Sequence, residues 1–384
     1  MIKLKTYKFK LKPTTKQSQL FNQWLGSCRF IYNLCLEYKK SLYDYGISIN
    51  KNDIQKELKV IKNETEWLKL VHSQTLQDVT DRLFKTYDKF FKGGGFPKFT
   101  NKTKFKSFVF KQGVSLCVNS NKIKLPKIGL VKYYKSQEVI GKIKTVSIIR
   151  ECDGWYISLS CEVDIVIKPI SANIIGLDLG IKDLLIGSDG KIFNNPKTLY
   201  KYEKQLKEQQ RIISRRKKGS NNRKKTIKQL QLLYKKVRDI RQDHLHKITT
   251  QIINENQIII CEELKSKNMM QNHKLAKSIG DASWYKLVFM LEYKAEWYGK
   301  TFIKVAPQYT SQDCNICSYR NSELTLKDRE WICPSCNTNH DRDINASFNI
   351  KYSGINKLTE LGHNFDTCGD MDSVTSPAQE SHLL

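Results

Sequence analysis

Apolar and lysine residues alternate from the start of the chain: Ile2, Leu4, Tyr7, Phe9 and Leu11 interleave with lysines and predict a strand over 2–12. Pro13, Thr14 and Thr15 then supply a helix start, because a threonine hydroxyl can accept from unpaired first-turn amides. From there Leu20, Trp24, Cys28, Ile31, Cys35, Tyr38 and Leu42 recur at helical spacing. A second stripe carries Ile54, Leu58 and Ile61, and a third Val71, Leu76, Val79, Leu83 and Tyr87. Gly93-Gly94-Gly95 and Pro97 mark the exit, and the lack of a following Lys-Ser/Thr makes this a hinge rather than a phosphate loop.

After the glycines the period falls to two. Phe108 and Phe110, Ile123 and Leu125, Val131 and Tyr133, then Trp155, Ile157, Leu159, Cys161 and Val163 alternate with polar residues, with a turn at Asp153-Gly154. Short strands at this spacing predict a small barrel that the 2–12 strand joins, with outward positions rich in lysine.

A different pattern begins near 172. Ile174-Ile175-Gly176-Leu177-Asp178-Leu179 is an apolar strand holding one acid, followed by a hairpin signal at Ser188-Asp189-Gly190, which fits the opening of an RNase H-like fold. Residues 199–256 read as a helical pair, with stripes at Leu199, Tyr202 and Leu206, at Leu230, Leu233, Val237 and Ile240, and at Leu245, Ile248 and Ile252. Ile258-Ile259-Ile260-Cys261-Glu262 has the density of a strand covered on both faces of a parallel sheet, and it ends in acid, where α/β sheets place their chemistry. A helix near 283–298, a strand at 301–305 and a helix from 341 to about 352 follow; the tail beyond 362 carries four acids with no Lys or Arg and is expected to be disordered.

At 384 residues the chain is expected to form several domains, and 40% apolar content supports folded ones. A net charge of +28 points to a polyanionic partner. No apolar run approaches membrane-spanning length, so a membrane is excluded as partner and a cytoplasmic location is expected. Arg215, Arg216, Lys217, Lys218, Arg223, Lys224 and Lys225 crowd one loop around Gly219-Ser220 and are candidates for phosphate contact.

Two groups of residues carry candidate chemistry. Cys314-x2-Cys317 and Cys333-x2-Cys336, separated by fifteen residues, have the spacing of a four-thiolate structural zinc site. The other seven cysteines sit singly, as reduced thiols do. The second group is acidic: Asp178, Glu262 and one of Asp341 or Asp343, which point about 200° apart on a helix and so do not both face the same metals. Clustered carboxylates suit two Mg²⁺ (or Mn²⁺) ions acting on a phosphodiester.

Together, GLDLG at 176–180, IICEEL at 259–264, HDRDINASFNI at 340–350, YTSQ at 309–312 and LPKIG at 125–129 resemble the TnpB (OrfB) family of insertion-sequence proteins, relatives of the type V CRISPR effector nucleases, over nearly the whole chain. The resemblance implies an α+β multidomain protein. A wedge-like β-barrel would span 1–13 and 93–170, with a helical insertion at 14–92. An RNase H-like (RuvC) nuclease domain would span 171–308 and 338–361, with a zinc ribbon at 309–337. It places the metal-ligand roles on Asp178, Glu262 rather than Glu263, and Asp343 rather than Asp341. It implies an RNA-guided DNA endonuclease that acts as a monomer on its guide RNA against target double-stranded DNA. A DNA-binding regulator without cleavage and a transposition accessory protein are the alternatives. Ser318, after Cys317, departs from the glycine common in the family.

Overall fold

The computed structural model describes residues 1–117, 120–325 and 327–361; the expected disordered tail and Cys368 lie outside them. The chain divides into two compact units, Ile2–Asp164 and Met1 with Ile165 onward. The first unit contains strand β1 (Ile2–Lys12), helices α1 (Thr15–Asp44), α2 (Lys51–Glu64), α3 (Glu66–Lys69) and α4 (Ser73–Phe91), then β2 (Ser107–Phe110), β3 (Ser115–Cys117), β4 (Lys122–Leu125), β5 (Gly129–Tyr134), β6 (Lys142–Glu151) and β7 (Gly154–Asp164).

Thr14 caps α1 as its sequence suggests: its hydroxyl accepts from the Gln17 amide, and the Gln17 side chain accepts from the Thr14 amide. α4 stops at the glycines. Gly93 takes φ +86°, and the Gly94 amide donates to the Lys89 carbonyl at 2.9 Å, so the expected hinge is a helix terminator. Val71 is fully buried but precedes α4 rather than belonging to it.

The strands form one antiparallel sheet in the order β2-β6-β7-β1-β5-β4-β3. Among the described residues β2 and β3 do not pair with each other, so the predicted barrel is an open ladder with two edges. Phe21 and Trp24 of α1 pack on Phe108, Phe110 and Trp155 of the sheet. β1 corrects one expectation. Tyr7, Phe9 and Leu11 are buried, but Ile2 and Leu4 are exposed, because their even positions fall on the other face of an unbroken ladder with β7.

The second unit contains β8 (Ile174–Leu179), β9 (Asp183–Gly187), β10 (Ile192–Asn194), α5 (Thr198–Arg215), α6 (Asn221–Glu255), β11 (Ile258–Glu262), α7 (Ser266–Met269), α8 (His273–Ala282), α9 (Trp284–Tyr298), β12 (Thr301–Val305), β13 (Glu330–Ile332), β14 (Asn339–Asp341) and α10 (Arg342–Glu360). Its sheet runs β10-β9-β8-β11-β12, with β8, β11 and β12 parallel. Apolar residues of α6, α8 and α9 cover one face, and Ile350 and Leu358 of α10 cover the other, as the unbroken apolar run of β11 predicts. Helix α8 has no counterpart in the expected elements, and α10 continues eight residues past the expected end near 352, to Glu360. In α6 the buried series is Val237, Leu245, Ile248 and Ile252, whereas Ile240 is exposed. Among the described residues no helix is long and apolar enough to cross a membrane.

Candidate active site

Strand alternation decides which side chains of the second sheet meet α10. In β8, Ile175, Leu177 and Leu179 enter the core beneath α6 and α9, which leaves Ile174, Gly176 and Asp178 on the opposite face. In β11, Ile259 and Cys261 take the first face, while Ile258, Ile260 and Glu262 take the second. The parallel register pairs Cys261 with Leu177, so Glu262 lies next to Asp178 on the neighbouring strand, at the C-terminal end of both.

α10 reaches this face through two glycines. A Cβ on Gly176 would sit 2.2 Å from the Ser347 carbonyl oxygen, and one on Gly354 would sit 2.5 Å from the Ile260 side chain. Without side chains there, the helix lies close on β8 and β11 and brings its first turn to the acids. Asp341 is the N-cap, its Oδ1 accepting from the amides of Asp343 at 3.0 Å and Ile344 at 2.9 Å. Asp343, in the first turn, is the α10 acid whose charge acts on Asp178, alongside that of Glu262.

Burial first, then the charges of Glu262 and Asp343, push the Asp178 carboxyl up to about 8. Burial also raises Glu262, 6% exposed, against the Thr310 hydroxyl, which donates to its Oε1 at 2.7 Å. Arg329 Nη1 donates to both oxygens of Asp343, at 3.2 and 3.0 Å. The three acids therefore share one site but are not drawn tightly together. Among the described residues, the one group of three or more His, Cys, Asp or Glu ligand atoms that all lie within 4.8 Å of one another is the four cysteines.

Those thiols fit zinc. Cys314 and Cys336 sulfurs are 3.7 Å apart and Cys317 and Cys333 are 3.6 Å apart. Four thiolates about 2.3 Å from a tetrahedral ion have edges of about 3.8 Å. Each CxxC closes a tight turn, with the amides of Ser318 and Asn337 donating at 2.9 Å to the carbonyls of Cys314 and Cys333. Both turn residues are left-handed, at φ +60° and +57°. The Thr338 hydroxyl holds Cys336 and helps pull its thiol down to about 6, in the thiolate range at neutral pH. His340 packs on Trp331, with its Nε2 3.1 Å from Cys314 Sγ.

Comparison with known proteins identifies the family. Family models match at residues 158–273 (OrfB_IS605, "Probable transposase"), 284–350 ("Cas12f1-like, TNB domain") and 1–47 ("Helix-turn-helix domain"). A protein of Escherichia coli (strain K12) described as "Putative RNA-guided DNA endonuclease InsQ" is 33% identical over 99% of this chain and 98% of its own. The chain belongs to the TnpB/OrfB family. A Streptomyces pristinaespiralis protein of the same general description is 30% identical over 91% of this chain and 89% of its own. A Cas12f1 chain solved by cryo-EM with sgRNA and target DNA shares the fold, with a TM-score of 0.58 at 16% identity, covering 88% of this chain and 83% of that one. The matched helix-turn-helix segment is here a strand followed by one 30-residue helix.

Within this TnpB/OrfB chain, the family-like YTSQ and HDRD motifs acquire separate jobs. Thr310 holds Glu262, Tyr309 lies under the Arg320 guanidinium at 3.8 Å, and Ser311 accepts from Arg342 at 3.2 Å. Arg342 also donates to the Thr325 carbonyl at 2.9 Å, which ties the first residue of α10 to the cysteine-rich segment. Sequence reasoning assigns no role to Thr310, Arg329 or the close approach at Gly176. Thr310 stands there only as part of the family-like YTSQ, Gly176 leaves a signal as the sole residue without a side chain in an otherwise bulky strand, and Arg329 leaves none.

The basic loop divides in two. Arg216 donates to the Asn222 carbonyl at 2.5 Å and to the Thr226 hydroxyl, and Arg223 donates to the carbonyls of Ile213 and Arg216. These two arginines close the tip between α5 and α6. Arg215, Lys217, Lys218, Lys224 and Lys225 remain exposed around it. A second basic feature lies on the first unit's sheet, where the sequence places lysines at outward positions and the strand register aligns three of them. Lys12 pairs with Lys132 and Lys132 with Lys122, which sets three exposed lysines abreast on β1, β5 and β4.

Proposed function

We propose that this chain is an RNA-guided DNA endonuclease of a transposable element, with a RuvC-type site formed by Asp178, Glu262 and Asp343. The observation that carries the reading is the convergence of three acids. Asp178 and Glu262 stand side by side at the C-terminal ends of parallel β8 and β11. The first turn of α10 brings Asp343 near enough for its charge to act on Asp178, whose carboxyl burial and these two neighbours raise. The strand order, three antiparallel strands continued by two parallel ones with acids at strand ends, is that expected of an RNase H-like nuclease domain at 171–308 and 338–361, with the four-cysteine ribbon at 309–337 inserted.

Hard carboxylate oxygens suit Mg²⁺ or Mn²⁺, and Asp178, Glu262 and Asp343 would hold two such ions, while Cys314, Cys317, Cys333 and Cys336 hold one structural Zn²⁺. When bound, paired divalent ions activate water and stabilise the leaving oxygen of a phosphodiester. The chain's own residues prepare that site. Thr310 fixes the Glu262 rotamer by its hydrogen bond. Asp341 anchors the first turn of α10 and so positions Asp343, while Arg329 balances the Asp343 charge. Guide RNA and target DNA are the partners this reading assigns to the +28 chain, with base pairing supplying the target sequence.

The test compares wild type with Asp178→Ala, each purified with its bound RNA and given matching DNA in Mg²⁺. Cleavage should fall roughly a hundredfold or more, the scale of the several kcal/mol at stake. Equal cleavage by both proteins refutes the site. DNA bound but left intact by wild type points instead to a regulator without cleavage.

A further inference from the structure

Behind Glu262 the second unit holds a polar cleft of about 440 Å³, between the 308–318 segment and one side of α10. Its lining is rich in carboxamides: Gln308, Asn315, Asn349 and Asn356. Asn349 is committed to the fold, donating to the carbonyls of Thr310 at 2.8 Å and Asp313 at 2.6 Å. The side-chain amides of Gln308, Asn315 and Asn356 make no hydrogen bond to the described chain, so each offers a donor and an acceptor to the cleft. Tyr352, 47% exposed, forms part of the α10 wall, its ring stacked against Phe348 at 6.4 Å.

The charge of this lining is as informative as its amides. No lysine or arginine contributes, and the one carboxylate, Asp313, is engaged by both Arg320 Nε at 2.6 Å and Nη2 at 3.0 Å. A phosphate would find no cation here, and a metal ion would find no free carboxylate. A nucleobase requires what is present, an aromatic face to stack on and amides to pair with its edge. Thr310 lines the cleft and also donates to Glu262, so an occupant sits one residue away from a candidate catalytic acid.

We propose that this cleft receives an unpaired nucleobase of the DNA strand led to the acidic site, with Tyr352 as stacking platform and Asn356, Gln308 and Asn315 as edge-reading groups. The inference rests on the nuclease reading for which strand enters, and it extends that reading by assigning a base-selective subsite beside the cut.

The test is photocrosslinking, which does not depend on cleavage. Asp178→Asn protein with its co-purified RNA receives target DNA carrying single 5-iodo-deoxyuridines at unpaired positions, and a parallel arm carries the label in the RNA. Crosslinks should map to the peptide containing Tyr352 from one or two DNA positions only. Tyr352→Ala should reduce them roughly tenfold, the scale of one base–aromatic stack. Since Tyr352 and Asn356 are exposed, the Tyr352→Ala/Asn356→Ala pair should keep the wild-type melting temperature. In the otherwise wild-type protein, the same pair should flatten the dependence of cleavage rate on the base at the crosslinked position. Crosslinks to this peptide from RNA alone, from no labelled position, or undiminished in Tyr352→Ala overturn the proposal. Failure of Asp178→Ala to reduce cleavage leaves the crosslinking result readable, so the two readings fail separately.

Discussion

At the scale of single residues, two side chains sit in environments that work against stability. Asp178 has its carboxyl held up near 8 when no metal is bound, whereas an unfolded Asp titrates near 3.9. Between those values the folded chain keeps a proton that the unfolded chain loses, so its stability falls as pH rises toward 8 and levels off above. Asp178→Asn removes this dependence. In zinc-loaded protein without Mg²⁺ or Mn²⁺, the variant should melt above wild type by roughly 5 °C at pH 8.5 and by much less at pH 5; an equal gap at both pH values contradicts the raised carboxyl. Ser318 is the second case. Its φ of +60° costs a residue bearing a Cβ, and a glycine at this place avoids that cost. Ser318→Gly should raise stability by about 1 kcal/mol, measured by denaturant midpoint in the zinc-loaded protein. Asn337, at φ +57°, is the matching position of the other turn, and asparagine tolerates that region better than serine.

At the scale of elements, the long strands and helices were legible because their signals are local. Thr14 begins α1, and the dense apolar run at 258–261 is covered on both faces. What was hidden depends on partners distant in sequence. Ile2 and Leu4 match a strand pattern, but only the pairing with β7 shows that they fall on the face opposite Tyr7. Asp178 and Glu262 were nameable as candidates, yet Thr310 and Arg329 became visible only once the cysteine-rich segment lay beside them. That segment holds little apolar core of its own, mainly Trp331 with Leu324 and the cysteines, so a metal on the four thiols would supply what burial does not. About one zinc per chain is expected by metal analysis. Cys314→Ser with Cys333→Ser should abolish it and release the contact of Arg329 to Asp343 and those of Arg342 to Ser311 and Thr325. Retained zinc in that double variant contradicts the four-thiolate site.

At the scale of the whole molecule, a charge of +28 needs an account of where it is useful and where it is costly. The row of Lys12, Lys132 and Lys122 is costly in the free protein, because like charges directly opposite on neighbouring strands repel. A polyanion lying across the row reverses the sign, converting mutual repulsion into shared attraction and releasing counterions. Lys132, the middle member, feels both neighbours, so Lys132→Thr separates the two effects. In the RNA-free protein it should raise stability by roughly 0.5 kcal/mol. In RNA binding it should lower the slope of log affinity against log salt by about 0.7–0.9, the loss of one phosphate contact. A surface lysine with no role in binding gives at most the first change, and a lysine that only supports the fold gives neither. Both changes together, in opposite directions, would identify this row as part of the nucleic-acid surface.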